Sequence, residues 1–597
     1  MNFIRERFTA FEPPSGYAGV LIPLEEAHQH SYSSRTNRAS LIESSIIADG
    51  NGGKNQGESA DMHECTGMLG PVPEYSVEGL RREVRQDGNP GTWSEYELKA
   101  KVINKAIGDI GMGKYNWQLF VLCGFGWFAD NLWLQGVSLT LPSLSAEFGI
   151  AEKTVRYTTS CLFFGLCIGS FFWGLGSDVM GRRIAFNATL LITGFFGSLA
   201  SVAPSWAWTC AFYTLLGFGV GGNLPVDGAL FLEFLPDASS SLLTLLSVWW
   251  PIGQLASSLL AWAFVTNWPA DQGWRYFIVA IGILTFIMFG IRFFAFRLFE
   301  SPKFLLSKGR QSEAVAVVHG IAFRNGVKTW LTEEILDAVA DRDADGSLGI
   351  QEEDTGQQST PRRRKNRASI FISDIIRNKL SSFSATRLRP LFRTRKLGWA
   401  TSLVWLTWAT IGMGYPLFNA FLPQYLSHEG DLSSATDKVP ALTATAYRNY
   451  AITSVLGIPG SILAAYSVDH PSPFLGRRGT LAISTLVSAV FLILFARFGN
   501  TASWQLFFSC VEAFTQNIMY GVLYAFTPEI FPAPVRGAGT GVASFLNRMT
   551  GLVAPIIAAN VPGDGTSAPI YLSAGLIFSA FIGIVAVPIE TRGRQRL

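Results

Sequence analysis

Charge is scarce in this sequence. Asp, Glu, Lys and Arg make up 15% of its 597 residues, 49% are hydrophobic, and the mean hydropathy is positive at +0.27. A chain so apolar cannot keep most of its surface in water, which excludes an ordinary soluble multidomain protein and points to lipid. An excess of either sign is also missing. The formal net charge is +3 and the basic residues gather beside apolar runs, so neither nucleic acid nor an acidic partner is implied. Cysteine is sparse: Cys123, Cys161, Cys167, Cys210 and Cys510 sit in apolar stretches and Cys65 stands alone, with no metal or disulfide spacing. The six histidines are scattered, mostly in polar stretches, so no catalytic constellation forms and no cofactor is implied. The start of the chain has no apolar leader; residues 1–113, rich in Ser, Asn, Glu and His, read as a disordered cytoplasmic tail.

What the chain does have is long apolar runs. A helix of about 20 apolar residues crosses a hydrocarbon core of roughly 30 Å. Such stretches lie near 117–140, 155–176, 184–203, 207–232, 241–265, 275–298, 398–422, 448–467, 480–497, 503–526, 535–559 and 568–588, six before a polar gap and six after. The expected architecture is an all-α membrane protein of twelve transmembrane helices in two six-helix halves, 114–298 and 397–588. A cytoplasmic middle loop, 299–396, joins them, and a short cytoplasmic tail, 589–597, ends the chain. If the segments alternate, Arg182, Arg183, the middle loop, Arg477, Arg478, Arg536, Arg592, Arg594 and Arg596 share one side. Basic residues mark the cytoplasm, which places both termini there, although Arg275, Lys438 and Arg448 lie toward the other face.

A carboxylate and two arginines close the second run, in "GSDVMGRR" at 176–183, and the device returns in "VDHPSPFLGRR" at 468–478. The pattern G-x-x-x-D-x-x-G-R-R, built here by Gly174, Asp178, Gly181, Arg182 and Arg183, resembles the signature loop of the major facilitator superfamily. The second copy is looser, with Ala465 for the first Gly and four extra residues between Asp469 and the Gly before Arg477 and Arg478. Four further stretches, "LFLEFLP" (230–236), "FESPKFLLSKGR" (299–310), "TPEIFPAPVRGAG" (527–539) and "PIETRGR" (588–594), are similar to segments of its sugar-porter-like and metabolite–proton symporter branches. "GWFADNLWLQG" at 126–136 resembles the first helix of metabolite–proton symporters and synaptic-vesicle-type relatives, while the Gln-Gln pair usual in helix seven of hexose porters is missing. The resemblance implies a cytoplasmic gating network of Asp178, Arg182, Arg183, Glu233, Asp469, Arg477, Arg478, Glu529 and Arg536. It also implies a central cavity lined by helices one, four, seven and ten.

Four charges stand deep inside the apolar runs. Asp130 lies about thirteen residues into the first, roughly 20 Å along a helix, and Asp227, Glu512 and Arg548 reach comparable depth. An ionised group at the bilayer centre costs about 2.5–3.5 kcal/mol, so such residues face a cavity, find a partner or take up a proton. Apolar surroundings favour the neutral acid and a nearby Arg favours the anion. Relatives often carry an Arg where Tyr213 stands here, which makes Asp130, with Asp227, the candidate for proton coupling. Arg548 is expected either to pair with Glu512 or to receive a substrate carboxylate. Around them, Asn131, Asn223, Trp249, Gln254, Tyr415, Asn419, Asn517 and Tyr520 are candidates for the cavity wall. The glycines of "GFGVGGN" at 217–223 serve close helix packing rather than nucleotide binding.

Two stretches point elsewhere. "DRDADGSLGIQE" at 341–352 matches a calcium-loop pattern through Asp341, Asp343, Asp345 and Glu352, yet no apolar exiting helix or second hand follows, so an acidic connecting stretch is the simpler expectation. "RRRKNRAS" offers Ser369 to a basophilic kinase or its cations to anionic lipid, but topology alone explains the basic run. The sequence therefore reads as a carrier, a multi-pass and monomeric protein of the plasma membrane whose partners are a small-molecule substrate, protons and the lipid bilayer. The expected activity is proton-coupled symport of an organic metabolite, an organic acid or sugar-like solute. A proton-driven exporter or facilitator of the same fold, and a non-transporting nutrient sensor, are the alternatives.

Overall fold

Every expected apolar run becomes a long helix in the computed structural model, which describes residues 17, 19–27, 75–86, 95–236, 241–340, 389–422, 444–468, 476–499, 501–531, 536–560 and 567–589. Two helices come first, α1 (Val77–Gln86) and α2 (Glu95–Ile110). The first six-helix half follows as α3 (Lys114–Phe148), α4 (Tyr157–Met180), α5 (Arg182–Leu199), α6 (Trp206–Phe234), α7 (Trp249–Val265) and α8 (Ala270–Gly290). A short helix, Ser241–Leu245, leads into α7, and a π turn, Ile291–Ala295, ends α8. Between the halves come α9 (Pro302–Ser307), α10 (Gln311–Asn325) and α11 (Glu333–Ala340). The second half is α12 (Arg395–Asn419), α13 (Ala444–Val468), α14 (Arg477–Phe498), α15 (Ala502–Ile530), α16 (Arg536–Asn560) and α17 (Ser567–Ala586). Among the described residues the only β-type pairing is an isolated parallel bridge between Leu21 and Thr329.

Nine of the described helices, α4 to α8, α13, α14, α16 and α17, are long and apolar enough to cross a membrane. The other three long helices, α3, α12 and α15, are no shorter, but polar residues dilute them, among them Asp130 and Gln135, Tyr415 and Asn419, Glu512 and Gln516. Those are helices one, seven and ten of the bundle. Polar side chains tolerated in an apolar helix need an interior to face, and these helices supply it.

The glycine that closes each copy of the repeated motif is visible in the backbone. Gly181 has φ 106° immediately before the Arg182-Arg183 start of α5, and Gly476 has φ 99° immediately before the Arg477-Arg478 start of α14. Only a residue without Cβ takes that conformation cheaply, so the same glycine turn starts the third helix of each half.

The described residues divide into two compact units, one within 1–119, 233–239 and 299–364, the other within 120–232, 240–298 and 365–597. In the larger unit the first half packs α5 on α8 and α7 on α8, and the second packs α15 between α13 and α14 with α12 against α16 and α17. The halves meet through α7 against α13 and α4 against α16. Lipid provides no hydrophobic force between helices, so close backbone approach must hold them. A Cβ on Gly217 would lie 2.3 Å from the Leu162 carbonyl oxygen, and one on Gly221 2.4 Å from that of Leu166. Gly217 and Gly221 are thus the seam between α4 and α6, and Gly219 packs α6 against Thr189 and Thr193 of α5.

The smaller unit differs from expectation. The stretch read as a disordered tail contributes α1 and α2, and the middle loop contributes α9, α10 and α11. One face of α2 buries Leu98, Val102, Ile103, Ala106, Ile107 and Ile110 at helical spacing, against α9, α10 and α11. That short apolar stripe is lost when averaged with the Ser- and Asn-rich residues before it. Nearer the N-terminus, Thr329 N–H donates to the Val20 carbonyl at 2.9 Å and Ile22 N–H to the Thr329 carbonyl at 3.1 Å. Buried Asp109 accepts from the Tyr75 hydroxyl at 3.1 Å and the Trp330 indole at 2.9 Å. The calcium-like loop with Asp341, Asp343, Asp345 and Glu352, and the basic run with Ser369, lie outside the described residues, as does the C-terminal tail from residue 590.

Candidate functional site

Helices α3, α4, α6 and α7 of the first half and α12, α13, α15 and α16 of the second enclose a cavity of about 140 Å³. That is room for on the order of ten waters, or one small organic solute. Of the residues expected on its wall, Asp130, Asn131, Gln254, Tyr415, Asn419, Asn517, Tyr520 and Arg548 are there.

Asp130 is 3% exposed, and its Oδ1 accepts from the Asn223 amide at 2.9 Å. Asn223 does not line the cavity; it stands behind the wall and holds the acid. Asp227 corrects expectation more sharply. It is absent from the wall and forms an ion pair of 2.6 Å with Arg292, both side chains sealed from solvent. Arg292 also donates to the carbonyls of Leu122 and Phe186, each at 2.9 Å, and its guanidinium lies 3.8 Å from the Phe186 ring centroid. The pair therefore ties α6 to the end of α8 and, through those two carbonyls, to α3 and α5.

Trp249 is also off the wall, and its neighbour Trp250 takes the place. One residue along a helix is a turn of about 100°, and Trp250 is the one that shares a face with Gln254, four residues on. Trp250 stacks on Trp127 at 4.7 Å, while Tyr524 of the second half lies 5.4 Å from Trp250 and 4.8 Å from Trp408. Four aromatic rings from both halves thus join, and two of them, Trp250 and Tyr524, line the cavity. Across it, the Gln254 amide donates to Asn131 Oδ1 and to the Tyr415 hydroxyl, each at 3.1 Å. Tyr415 and Tyr520 meet edge to face at 5.3 Å.

Glu512 is not a wall residue, and it does not pair with Arg548. It is buried behind Gln516, whose amide donates to it, and it accepts from Ser488 at 2.8 Å. Gln516 lines the cavity and accepts from Asn419 at 2.7 Å. Arg548 donates to Ser544 on its own helix, and its side chain is only half-buried at the wall. The arrangement offers a solute one cation, one carboxylate, several amides and a ring face.

Of the expected gating residues, Arg477 pairs with Glu529 at 2.5 Å, tying α14 to α15. Arg182 donates to Ser177 at 3.0 Å, and Arg478 to the Val585 carbonyl at 2.7 Å. The Arg183 carbonyl accepts from Asn187 at 2.9 Å, and Glu233 occupies the last turn of α6. Asp469 and the side chains of Asp178 and Arg536 lie outside the described residues.

Several residues were missed. Gln135, Gln516 and Asn547 line the cavity and belong to the same polar faces as Asn131, Asn517 and Arg548. Arg292, an arginine inside the sixth apolar run, carries the same sequence signal as Asp227. Arg156 has no sequence signal: it is 1% exposed, donates to the Ala558 carbonyl at 2.7 Å and lies 5.2 Å from the Phe421 ring. Among the described residues no cluster of His, Cys, Asp and Glu could hold a metal.

Comparison with known proteins agrees with this geometry. The family model described as Major Facilitator Superfamily matches residues 119–555. The chain is 41% identical over 515 residues to "MFS siderochrome iron transporter 1" of Ceriporiopsis subvermispora, covering 84% of this chain and 92% of that one. It is 27% identical over 560 residues to the bovine (Bos taurus) "Synaptic vesicle 2-related protein", covering 91% of each. The fold matches that of the E. coli proton:xylose symporter XylE with a TM-score of 0.56 at 16% identity, over 81% of this chain and 98% of that one. The twelve long helices, the paired glycine turns and the central cavity thus agree with the family match: this chain belongs to the major facilitator superfamily, and it is a multi-pass membrane transporter rather than an enzyme.

Proposed function

We propose that this carrier moves a small organic metabolite bearing an acidic group by proton-coupled symport with alternating access, Asp130 holding the proton and Arg548 receiving the solute's anion. One observation carries the reading. Asp130 is a buried cavity-wall carboxylate whose partner is a neutral amide, Asn223, while the other deep acid of the first half, Asp227, is spent on Arg292. An acid held by an amide can exist charged or neutral, and neutralising it changes what the two halves gain by closing around it. Among the described residues, Arg548 is the one cation of the cavity wall and donates only to a hydroxyl. A carboxylate can take that guanidinium with charge-assisted hydrogen bonds, and the rings of Trp250, Tyr415 and Tyr520 suit an apolar body. The inward potential supplies about 2.3 kcal/mol per charge per 100 mV, and each pH unit adds about 1.4 kcal/mol.

The test is a solute panel in proteoliposomes with an imposed pH gradient. The panel holds aliphatic and aromatic carboxylic acids, sugars and, because of the name of the relative, a ferric siderochrome. Uptake driven by an inward proton gradient and lost in Asp130→Asn is the expected result. Unchanged pH dependence in Asp130→Asn overturns the coupling, outward flux favours an exporter, and binding without flux favours a sensor. We place the carrier in the plasma membrane as a monomer with both termini cytoplasmic; accessibility of epitopes added at the two ends, in intact against permeabilised cells, checks the orientation.

A further inference from the structure

Glu512 has no part in the mechanism just proposed, and its surroundings are unusual for a carboxylate. It is 2% exposed and outside the cavity wall, deep between the helices of the second half. Its Oε1 accepts from Ser488 of α14 at 2.8 Å and from Gln516, one turn along α15. Among the described residues, none makes a hydrogen bond to its buried Oε2. The cations on the helices packed against α15 are engaged elsewhere or point away. Arg477 of α14 holds Glu529, Arg478 donates to the Val585 carbonyl, and Arg548 of α16 donates to Ser544. Arg497 of α14, Arg448 of α13, and Arg395 and Lys396 of α12 are exposed, Tyr450 donates to the Asn419 carbonyl, and among the described residues Tyr447, Tyr415, Tyr520 and Tyr524 make no hydrogen bond to it. A carboxylate with one bare oxygen and no cation is costly in an apolar interior, and the same group as a neutral acid is far less so.

We propose that Glu512 is a second proton-binding site of the carrier, linked to the cavity through Gln516. The proposal rests on the reading of the chain as proton-coupled, and adds a site in the other half. Gln516 makes the link because it has two ends. Its nitrogen donates to Glu512, its oxygen accepts from Asn419 at 2.7 Å, and both Gln516 and Asn419 line the cavity. A solute that engages either amide alters the hydrogen bond that steadies the Glu512 anion. Gain of a proton by Glu512 removes the negative charge that draws the Gln516 nitrogen and frees that amide for solute. Proton and solute binding are then coupled, and the coupling is reciprocal. With Asp130 held by Asn223 in the first half and Glu512 held by Gln516 in the second, each half has its own acid to neutralise.

The probe is the proton alone. Full-length protein in liposomes is taken through a pH titration and read by infrared difference spectroscopy at the carboxylic-acid carbonyl band, for wild type, Asp130→Asn and Glu512→Gln. The expected result is a titrating band lost completely in Glu512→Gln and kept in Asp130→Asn. Identical spectra for Glu512→Gln and wild type overturn the proposal. If Glu512→Gln does not assemble, Glu512→Asp is expected to keep a titrating band at a displaced frequency, and absence of that band is equally fatal. Gln516→Leu is expected to displace the Glu512 band, and an undisplaced band removes the link to the cavity. Because no solute is used, these outcomes are independent of the transport panel, in which failure of the Asp130→Asn variant to change pH dependence counts against the proposed function itself.

Discussion

The guanidinium of Arg156 donates to the backbone carbonyl of Ala558 at 2.7 Å, joining the start of α4 in the first half to the end of α16 in the second. Beside it, Asn560 donates to the Tyr157 hydroxyl at 2.8 Å, another contact between the same two helices. Both lie at the face opposite the Gly181 and Gly476 turns, where the halves must part for the cavity to open on that side. A hydrogen bond from a charged group is worth about 1.5–3 kcal/mol, on the order of 10- to 100-fold in an opening equilibrium. Arg156→Ala is therefore expected to raise the rate at which a cysteine placed at Leu134 is alkylated by a reagent reaching it from that face, by about tenfold or more. An unchanged rate would show that the contact does not hold this face shut.

The Asp227–Arg292 pair makes a different forecast. Breaking a buried pair by removing one partner leaves an uncompensated charge and costs about 3–5 kcal/mol. Arg292→Gln should lower the melting temperature of the detergent-solubilised protein more than Asp227→Asn with Arg292→Gln together. The double variant should keep the pH dependence of transport seen in wild type. Loss of that dependence would return Asp227 to the coupling machinery.

Glycine substitutions separate seam from surface. A Cβ at Gly221 meets the Leu166 carbonyl, whereas one at Gly290 has nothing within 4 Å. Gly221→Ala is expected to destabilise by about 1–3 kcal/mol through overpacking, and Gly290→Ala to be neutral or stabilising by up to about 1 kcal/mol. Thermal unfolding of the two variants side by side checks this.

In the smaller unit, His319 is buried in α10, with its Nε2 at 2.7 Å from the Leu331 carbonyl. Burial pushes the imidazole below the usual histidine range, against the opposing pull of that carbonyl. The unfolded chain thus binds this proton more readily than the folded one. Stability is greatest above the ordinary histidine value of about 6.5, declines as pH falls through it, and levels off once pH is below the folded value. Hydrogen exchange over α10 should quicken between about pH 7.5 and 5.5 after correction for intrinsic rates, by up to roughly tenfold per pH unit. His319→Gln should flatten that dependence.

Much of the site was legible because polar residues are costly in lipid. Asp130, Asn131, Gln254, Tyr415, Asn419, Asn517, Tyr520 and Arg548 stood out against apolar runs, and all eight line the cavity. Where the structure differs, rotation about a helix axis decided one case and burial depth the other. Trp249 gave way to Trp250, and Glu512 lies behind Gln516 rather than beside Arg548. The tail and middle loop were misread for the opposite reason: the apolar stripe of α2 is short and sits within a polar stretch, where averaging hides it.

By itself the sequence determined the two sets of six helices, the repeated glycine turn and the presence of acids at membrane depth. These are one-dimensional consequences of helix length, of the conformational freedom of glycine and of the cost of desolvating charge. Only the tertiary structure decided which acid has a cation. Asp227 and Arg292 are 65 residues apart, and their meeting depends on the rotation and depth of α6 and α8, set by the packing of every helix between them. That same packing left Asp130 with an amide, and Glu512 with an amide and a hydroxyl.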